Sequence, residues 1–340
     1  MTSVCQKPRG CKLPNFLATL VMSGAVGVAY FNCDPMIAGS EPTRRMANLN
    51  IQPMLALPQL PTATVPAPAE PGETVDGTAP ATSSVVSYDD KVLRGKWALE
   101  LQVSLLEKGL ARFEHVPNYM FTMTRQERIN GDLLAPQVMD VKLRHQPFSL
   151  YMKWLEGEGP GVKGRQLLFA DGQYENKLVI LPGGLTGRLT GPMSFALDDP
   201  MVTAEARHPA NECGLKHLAE MILTYNRKDL ENGCKDYHCE LHDGQVVNDR
   251  PCYLFIAVYD TPERSPVYRK VAIFIDKELS MPIAIRNYSW AENVSPEELD
   301  DVTLVEAYSY SNITIDTREA SLSEDDWSRE NPKYRMKARK

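Results

Sequence analysis

The chain has 340 residues and a net charge of −7, and its 37 basic and 44 acidic side chains are interspersed, which excludes the clustered positive charge of a nucleic-acid binder. Prolines crowd residues 52–81, and that stretch has neither aromatics nor a regular apolar period, so it cannot bury enough surface to offset its chain entropy. Packed structure is thereby confined to roughly 250 residues from Ser87 onward, enough for one sizeable core.

The first element is LPNFLATLVMSGAVGVAYFNC, Leu13 to Cys33, which carries no charge. Lys7, Arg9 and Lys12 precede it and Asp34 follows, a polarity that keeps the N-terminus in the cytoplasm and sends the remainder across the membrane. The run is long enough to span a bilayer, but Asn15, Ser23, Gly24 and Gly27 interrupt it. Gly27-Val28-Ala29 offers the small residues a signal peptidase accepts, so residues 1–33 are expected to be a cleaved export signal. A membrane anchor and a core helix are the alternatives. Residues 34–86 are expected to form a disordered, Pro-rich linker. The body is then exported: periplasmic, cell-envelope or secreted.

In that compartment the four body cysteines, Cys213, Cys234, Cys239 and Cys252, are compatible with two disulfides. Cys234–Cys239 and Cys213–Cys252 make the simplest pairing. CKDYHCELH gathers four possible metal ligands, but in a strand His238 and Cys239 point to opposite faces, so no metal is expected.

From Asp89 to His115 the spacing predicts one long amphipathic helix, with Leu93, Trp97, Leu101, Leu105 or Leu106, Leu110 and Phe113 as its stripe. The period then changes to two. NYMFTMTRQERI, VMDVKLRH and PFSLYMKWL alternate, with Asn130-Gly131 as a turn, and RQLLFADGQYENKLVIL predicts two more strands around Asp171-Gly172. The glycine-rich LPGGLTGRLTGP interrupts this meander as a loop. Helical spacing returns over 214–228, and five further strands run to NITID. Residues 321–340 are a polar tail that caps or trails, so the domain is placed at 87–320. The fold class is α+β: a strongly curved antiparallel sheet, a half-barrel, packed on a long N-terminal helix and a second helix.

A curved sheet with an apolar concave face is also the geometry of a ligand cavity. Met123, Met139, Val141, Phe148, Leu150, Met152 and Trp154 are the expected cavity wall. Leu185, Leu189, Met193 and Phe195 are the expected lid, with 182–192 as its loop. No constellation predicts catalysis: Ser194 lacks a nucleophile elbow, and the glycine-rich loop lacks the Lys-Ser/Thr of a phosphate loop. Asp198-Asp199-Pro200 is expected to cap a helix or start a turn, and Arg207-His208 to form a satisfied structural pair. No cofactor is expected.

YMFTMTRQERINGDLL with RHQPFSLYMKWL, then ALDDPMVTAEARHPANECGL, FIDKELSMPIAIRNYSW, AYSYSNITID and NPKY resemble, in that order, a DUF1571-type domain of exported, planctomycete-like bacterial proteins. Such domains are similar in architecture to the LolA/LolB lipoprotein carriers and the RseB sensor domain, open half-barrels closed by helices. The resemblance implies that fold and the binding of acyl chains, lipids or lipoproteins near a membrane, with no catalytic residues. The alternative is a structural or protein-interaction module of the envelope, and a hydrolase comes last.

Overall fold

The computed structural model describes residues 92–315 and 322–337. The expected export signal, the linker and the first residues of the expected N-terminal helix lie outside the described residues. Strand β1 (Val92–Arg94) comes first, and Gly95, at φ 64°, turns the chain directly into α1 (Lys96–Phe113).

The helix expected from Asp89 begins only at Lys96, since Val92–Arg94, with Leu93 of the expected stripe, pairs with β9 as a strand, and its buried face is rotated. Ala98, Leu99, Gln102, Leu106, Gly109 and Phe113 are buried, whereas Trp97 is 71% exposed and Leu101 38%. Two long-range contacts choose this face. Gln102 accepts a hydrogen bond from Asn226 Nδ2 at 2.9 Å, and the backbone at Gly109 lies so close to the Ser280 carbonyl that an added Cβ would stand 2.1 Å from its oxygen. Gly109→Ala separates propensity from packing. On an uncrowded helix the change would stabilise by about 1 kcal/mol. Here overpacking against backbone is expected to cost about 1–3 kcal/mol, read as a lower urea midpoint at unchanged m.

The first meander comprises β2 (Asn118–Ile129), β3 (Asp132–Leu133), β4 (Gln137–Arg144), β5 (Ser149–Glu156), β6 (Gln166–Ala170) and β7 (Leu178–Leu181). The glycine-rich segment is not a plain loop, because α2 (Gly184–Thr190) forms within it. Strand β8 (Met193–Phe195) and the short α3 (Pro200–Thr203) follow, the latter capped by Asp199, whose carboxylate accepts from Met201 N at 2.9 Å. Helix α4 (Leu215–Glu231) leads into the second meander, β9 (Tyr237–Val247), β10 (Arg250–Tyr259), β11 (Lys270–Asp276) and β12 (Pro282–Tyr288). Then α5 (Pro296–Thr303) precedes β13 (Leu304–Ile315).

All pairings are antiparallel, in the order β1-β9-β10-β11-β12-β13-β2-β4-β5-β6-β7-β8, with β3 beside β2. The two meanders join where β13 lies against β2, and the sheet is open. Helices α1 and α4 pack on each other and on its inner face. The C-terminal segment covers the opposite face: Tyr334 and Met336 are buried with Tyr151, Leu168, Val179 and Leu181, and Lys333, Arg335 and Lys337 alternate outward. Among the described residues no helix is long and apolar enough to cross a membrane.

Candidate functional site

A cavity of about 300 Å³ lies on the inner face, lined by side chains from β12, β13, β2, β5, β6, β7 and β8. Laid flat, the strands from β12 to β8 would span roughly 34 Å at about 4.8 Å per gap, so these residues meet only because the sheet curls. Alternation selects the lining: Met152 and Trp154 face in while Tyr151 and Lys153 face out. Met123, Leu167, Ile180, Met193 and Phe195 extend the apolar wall, Met201 and Val202 come from α3, and Leu218 and Met221 from α4.

Of the seven expected wall residues, Met123, Met152 and Trp154 line the cavity. Met139, Val141 and Leu150 are fully buried without reaching it, and Phe148 packs against Phe169 at 6.1 Å between centroids. The start of α4 occupies that end of the face. The Tyr119 hydroxyl accepts from Leu215 N at 2.8 Å, and a Cβ at Gly214 would meet Leu143 and Tyr119 at 2.6 Å. Of the expected lid, Met193 and Phe195 line the cavity, whereas Leu185 and Leu189 stand 69% and 71% exposed on α2.

Spacing did not single out the cavity's charged wall. Glu306 on β13 and Glu127 on β2 are buried, point inward and line the cavity with Arg125, His208, Asn287 and Tyr308. Arg207 Nε and His208 Nε2 donate to Glu306 Oε2 at 3.2 and 3.0 Å, and the Tyr268 hydroxyl and Asn287 Nδ2 donate to Oε1 at 2.7 and 2.6 Å. Burial alone would raise the Glu306 carboxyl, but its bonds and the charge of His208, with Tyr268 and Asn287, hold it at about 2. Burial likewise works against the His208 imidazolium, and Glu306 outweighs it, so His208 titrates above its ordinary value. The Tyr308 hydroxyl donates to Glu127, and burial beside two carboxylates pushes its phenol up. Asn287 Oδ1 is the one acceptor of this wall left without a hydrogen-bond partner among the described residues.

Residues 196–213 cover the cavity. Arg207 and His208 tie this segment to Glu306, and Arg165 Nη1 donates to Glu205 at 2.5 Å while its guanidinium sits 5.6 Å from the Trp154 ring. Arg207-His208 is thus the satisfied pair expected of it.

All four expected disulfide cysteines are free thiols in the structure. Cys213 lines the cavity, Cys234 lies in the turn after α4, Cys239 donates to Gly95 O at 3.1 Å and Cys252 to Arg250 O at 3.3 Å. Burial pushes the thiols of Cys213, Cys239 and Cys252 up to about 12. In CKDYHCELH, His238 pairs with Asp260 at 3.1 Å and His242 with Glu240 at 2.9 Å.

No curated protein matches the chain. Among solved structures, a DUF1329 family protein from Desulfovibrio piger aligns at 9% identity and TM-score 0.32, covering 68% of this chain and 97% of that one. The Mycobacterium tuberculosis lipoprotein LppX aligns at 6% identity and TM-score 0.36, covering 64% and 98%. A LolA superfamily protein from Nitrosomonas europaea aligns at 13% and TM-score 0.25, covering 66% and 96%. The family described as protein of unknown function (DUF1571) matches residues 116–336, well over half of the sequence, and the chain belongs to that family.

Proposed function

We propose that this domain is a non-enzymatic binding protein that holds an acyl chain, of a lipid or a lipoprotein, in the cavity under residues 196–213. Residues 1–33 would export it and residues 34–86 would tether it near a membrane. One observation carries the reading: a cavity whose floor is methionine, tryptophan and aliphatic side chains, closed on one side by charges that already satisfy one another. Each methylene buried there contributes about 0.8 kcal/mol, so a chain of ordinary length is held without any ion pair of its own. Asn287 Oδ1 is placed to accept one hydrogen bond from a head group. Glu306 is held near 2 and the Tyr308 phenol is pushed up, which takes both out of the range useful for proton transfer at neutral pH, and His208, which titrates above its ordinary value, is engaged by Glu306.

The test is native mass spectrometry of the exported chain, then solvent extraction and titration with a fluorescent fatty acid. The expected result is a discrete adduct released as lipid. Met193→Trp, on the edge strand β8, should fill part of the cavity and weaken fatty-acid binding at least about tenfold, at a stability cost near 1 kcal/mol. A bare polypeptide mass that also ignores fatty acids and lipopeptides overturns the reading in favour of an interaction module.

A further inference from the structure

The other face of the sheet carries a second concavity, of about 560 Å³, between β5–β7, α2 and the C-terminal segment. Lys153, Arg188, Lys333, Arg335 and Lys337 line it, and no carboxylate does. In a chain of net charge −7 this is a local inversion of sign. Lys153, Lys333 and Arg335 make no side-chain hydrogen bond or ion pair among the described residues, and Lys337 has only Glu330, at 3.7 Å with both side chains more than half exposed.

Helix α2 stands between this cleft and the inner cavity. Its Gly184, Gly187 and Arg188, with Gly191 just beyond its end, border the cleft, and its Thr186 lines the cavity. At about 100° per residue, Leu185 and Leu189 project between those two sides, one turn apart and 69% and 71% exposed. Isolated exposed leucines are ordinary, but a pair flanked by five cations has the composition of a surface that meets anionic lipid.

We propose that this face, Leu185 and Leu189 with the five surrounding cations, docks the domain on an anionic membrane surface. The cations approach the head groups, with Lys153, Lys333 and Arg335 each raising partitioning about fivefold at low salt, and the leucines enter the interfacial region. A soluble polyanion would use the cations but gives the leucines no partner, which is why the occupant is a lipid surface. Thr186 of the same helix lines the inner cavity, so docking brings that side of the cavity to the lipid. The docking stands whether or not the cavity is filled.

The test is co-sedimentation of the full chain with phosphatidylcholine vesicles, with or without about a third phosphatidylglycerol, at about 0.1 and 0.5 M salt. The apolar run at 13–33 acts on both vesicles alike and its basic flank, Lys7, Arg9 and Lys12, is the same in every variant, so the readout is the difference between the two vesicles compared across variants. Wild type should prefer anionic vesicles by about a hundredfold or more at low salt, and the preference should collapse at high salt. Lys333→Gln with Arg335→Gln should lower it about twenty-five-fold. Leu185→Ser with Leu189→Ser should weaken binding to anionic vesicles about tenfold and leave the salt dependence unchanged. Equal binding to both vesicles, an unchanged preference in the charge variant, or full affinity in the leucine variant overturns the proposal. So does competition by soluble glycerophosphate without vesicle binding, which would reduce the cleft to a phosphate site.

Discussion

Glu306→Ala is expected to remove about 3–5 kcal/mol of unfolding free energy, because it leaves a buried set of donors without their shared acceptor. The carboxylate is 2% exposed and receives Arg207, His208, Tyr268 and Asn287. Removing it strands Asn287 Nδ2 and the Tyr268 hydroxyl, and it releases the hydrogen bonds that Arg207 and His208 make to β13. The network also has a pH signature. The Glu306 carboxyl is held at about 2 against an ordinary 4.5, so its unfolded form binds a proton at a higher pH than its folded form. Stability from this group is therefore fully present above about pH 4.5 and is lost as the pH falls through about 2, a loss of about 3 kcal/mol. His208 has the opposite sign. Its folded pKa is raised, so its contribution is complete below about pH 6.5 and fades as the pH rises through the raised value. Urea unfolding of wild type and Glu306→Gln, at pH 7 and pH 3, checks the Glu306 contribution. The variant should be less stable at pH 7 and should lose less on acidification. A cost below about 1 kcal/mol for Glu306→Ala would mean that the network does not hold the cover segment down.

The partners of Glu306 explain why this wall was hard to read from the chain. Period-two alternation already sets Glu306 beside Tyr308 and Tyr310 on one face of β13, and a carboxylate at an inward position is itself a signal. What the pattern does not contain is the answering charge, since Arg207 and His208 lie 99 and 98 residues away in sequence. The strands were legible because alternation is local, and β2 covers the same residues that its period predicts. The face of α1 was not, because Trp97 and Leu101 are as apolar as the residues that are buried. The decision was made by Ser280 and by Asn226 of α4. The cavity wall shows the same division. Met139, Val141 and Leu150 share the inward face with Met123 and Met152, but the start of α4 fills that end, and its position is a tertiary fact. One miss was local. Ser295-Pro296 with Glu298 is a helix start, with Ser295 Oγ accepting from Glu298 N at 3.4 Å, and it opens the short α5.

The C-terminal segment supplies the second large effect. Trp327→Ala is expected to cost about 3–5 kcal/mol, the range for deleting a buried large aromatic. Its composition reads as a solvated tail, yet Trp327 is 1% exposed, beneath the Arg144 guanidinium at 5.0 Å. Tyr334 stacks on Tyr151 with centroids 3.8 Å apart and planes at 10°, and Met336 is fully buried. The ion pairs beside them, Arg144–Glu324 at 2.7 Å and Lys142–Asp326 at 2.6 Å, are more exposed, and Glu324 is 83% exposed. Glu324→Gln should therefore cost under about 1 kcal/mol, and the contrast with Trp327→Ala shows which kind of contact seats the segment. Amide exchange over 322–337 supplies the local readout. In Trp327→Ala its protection should fall further than that of β10 and β11, because this segment covers the sheet from outside and need not unfold with it. The same variant should weaken vesicle binding, since Lys333, Arg335 and Lys337 reach the cationic cleft only while residues 327, 334 and 336 are seated. Full protection over 322–337 and a cost below about 1 kcal/mol would make Trp327 a passive cover, and the cleft would then have to be held by Tyr334 and Met336 alone.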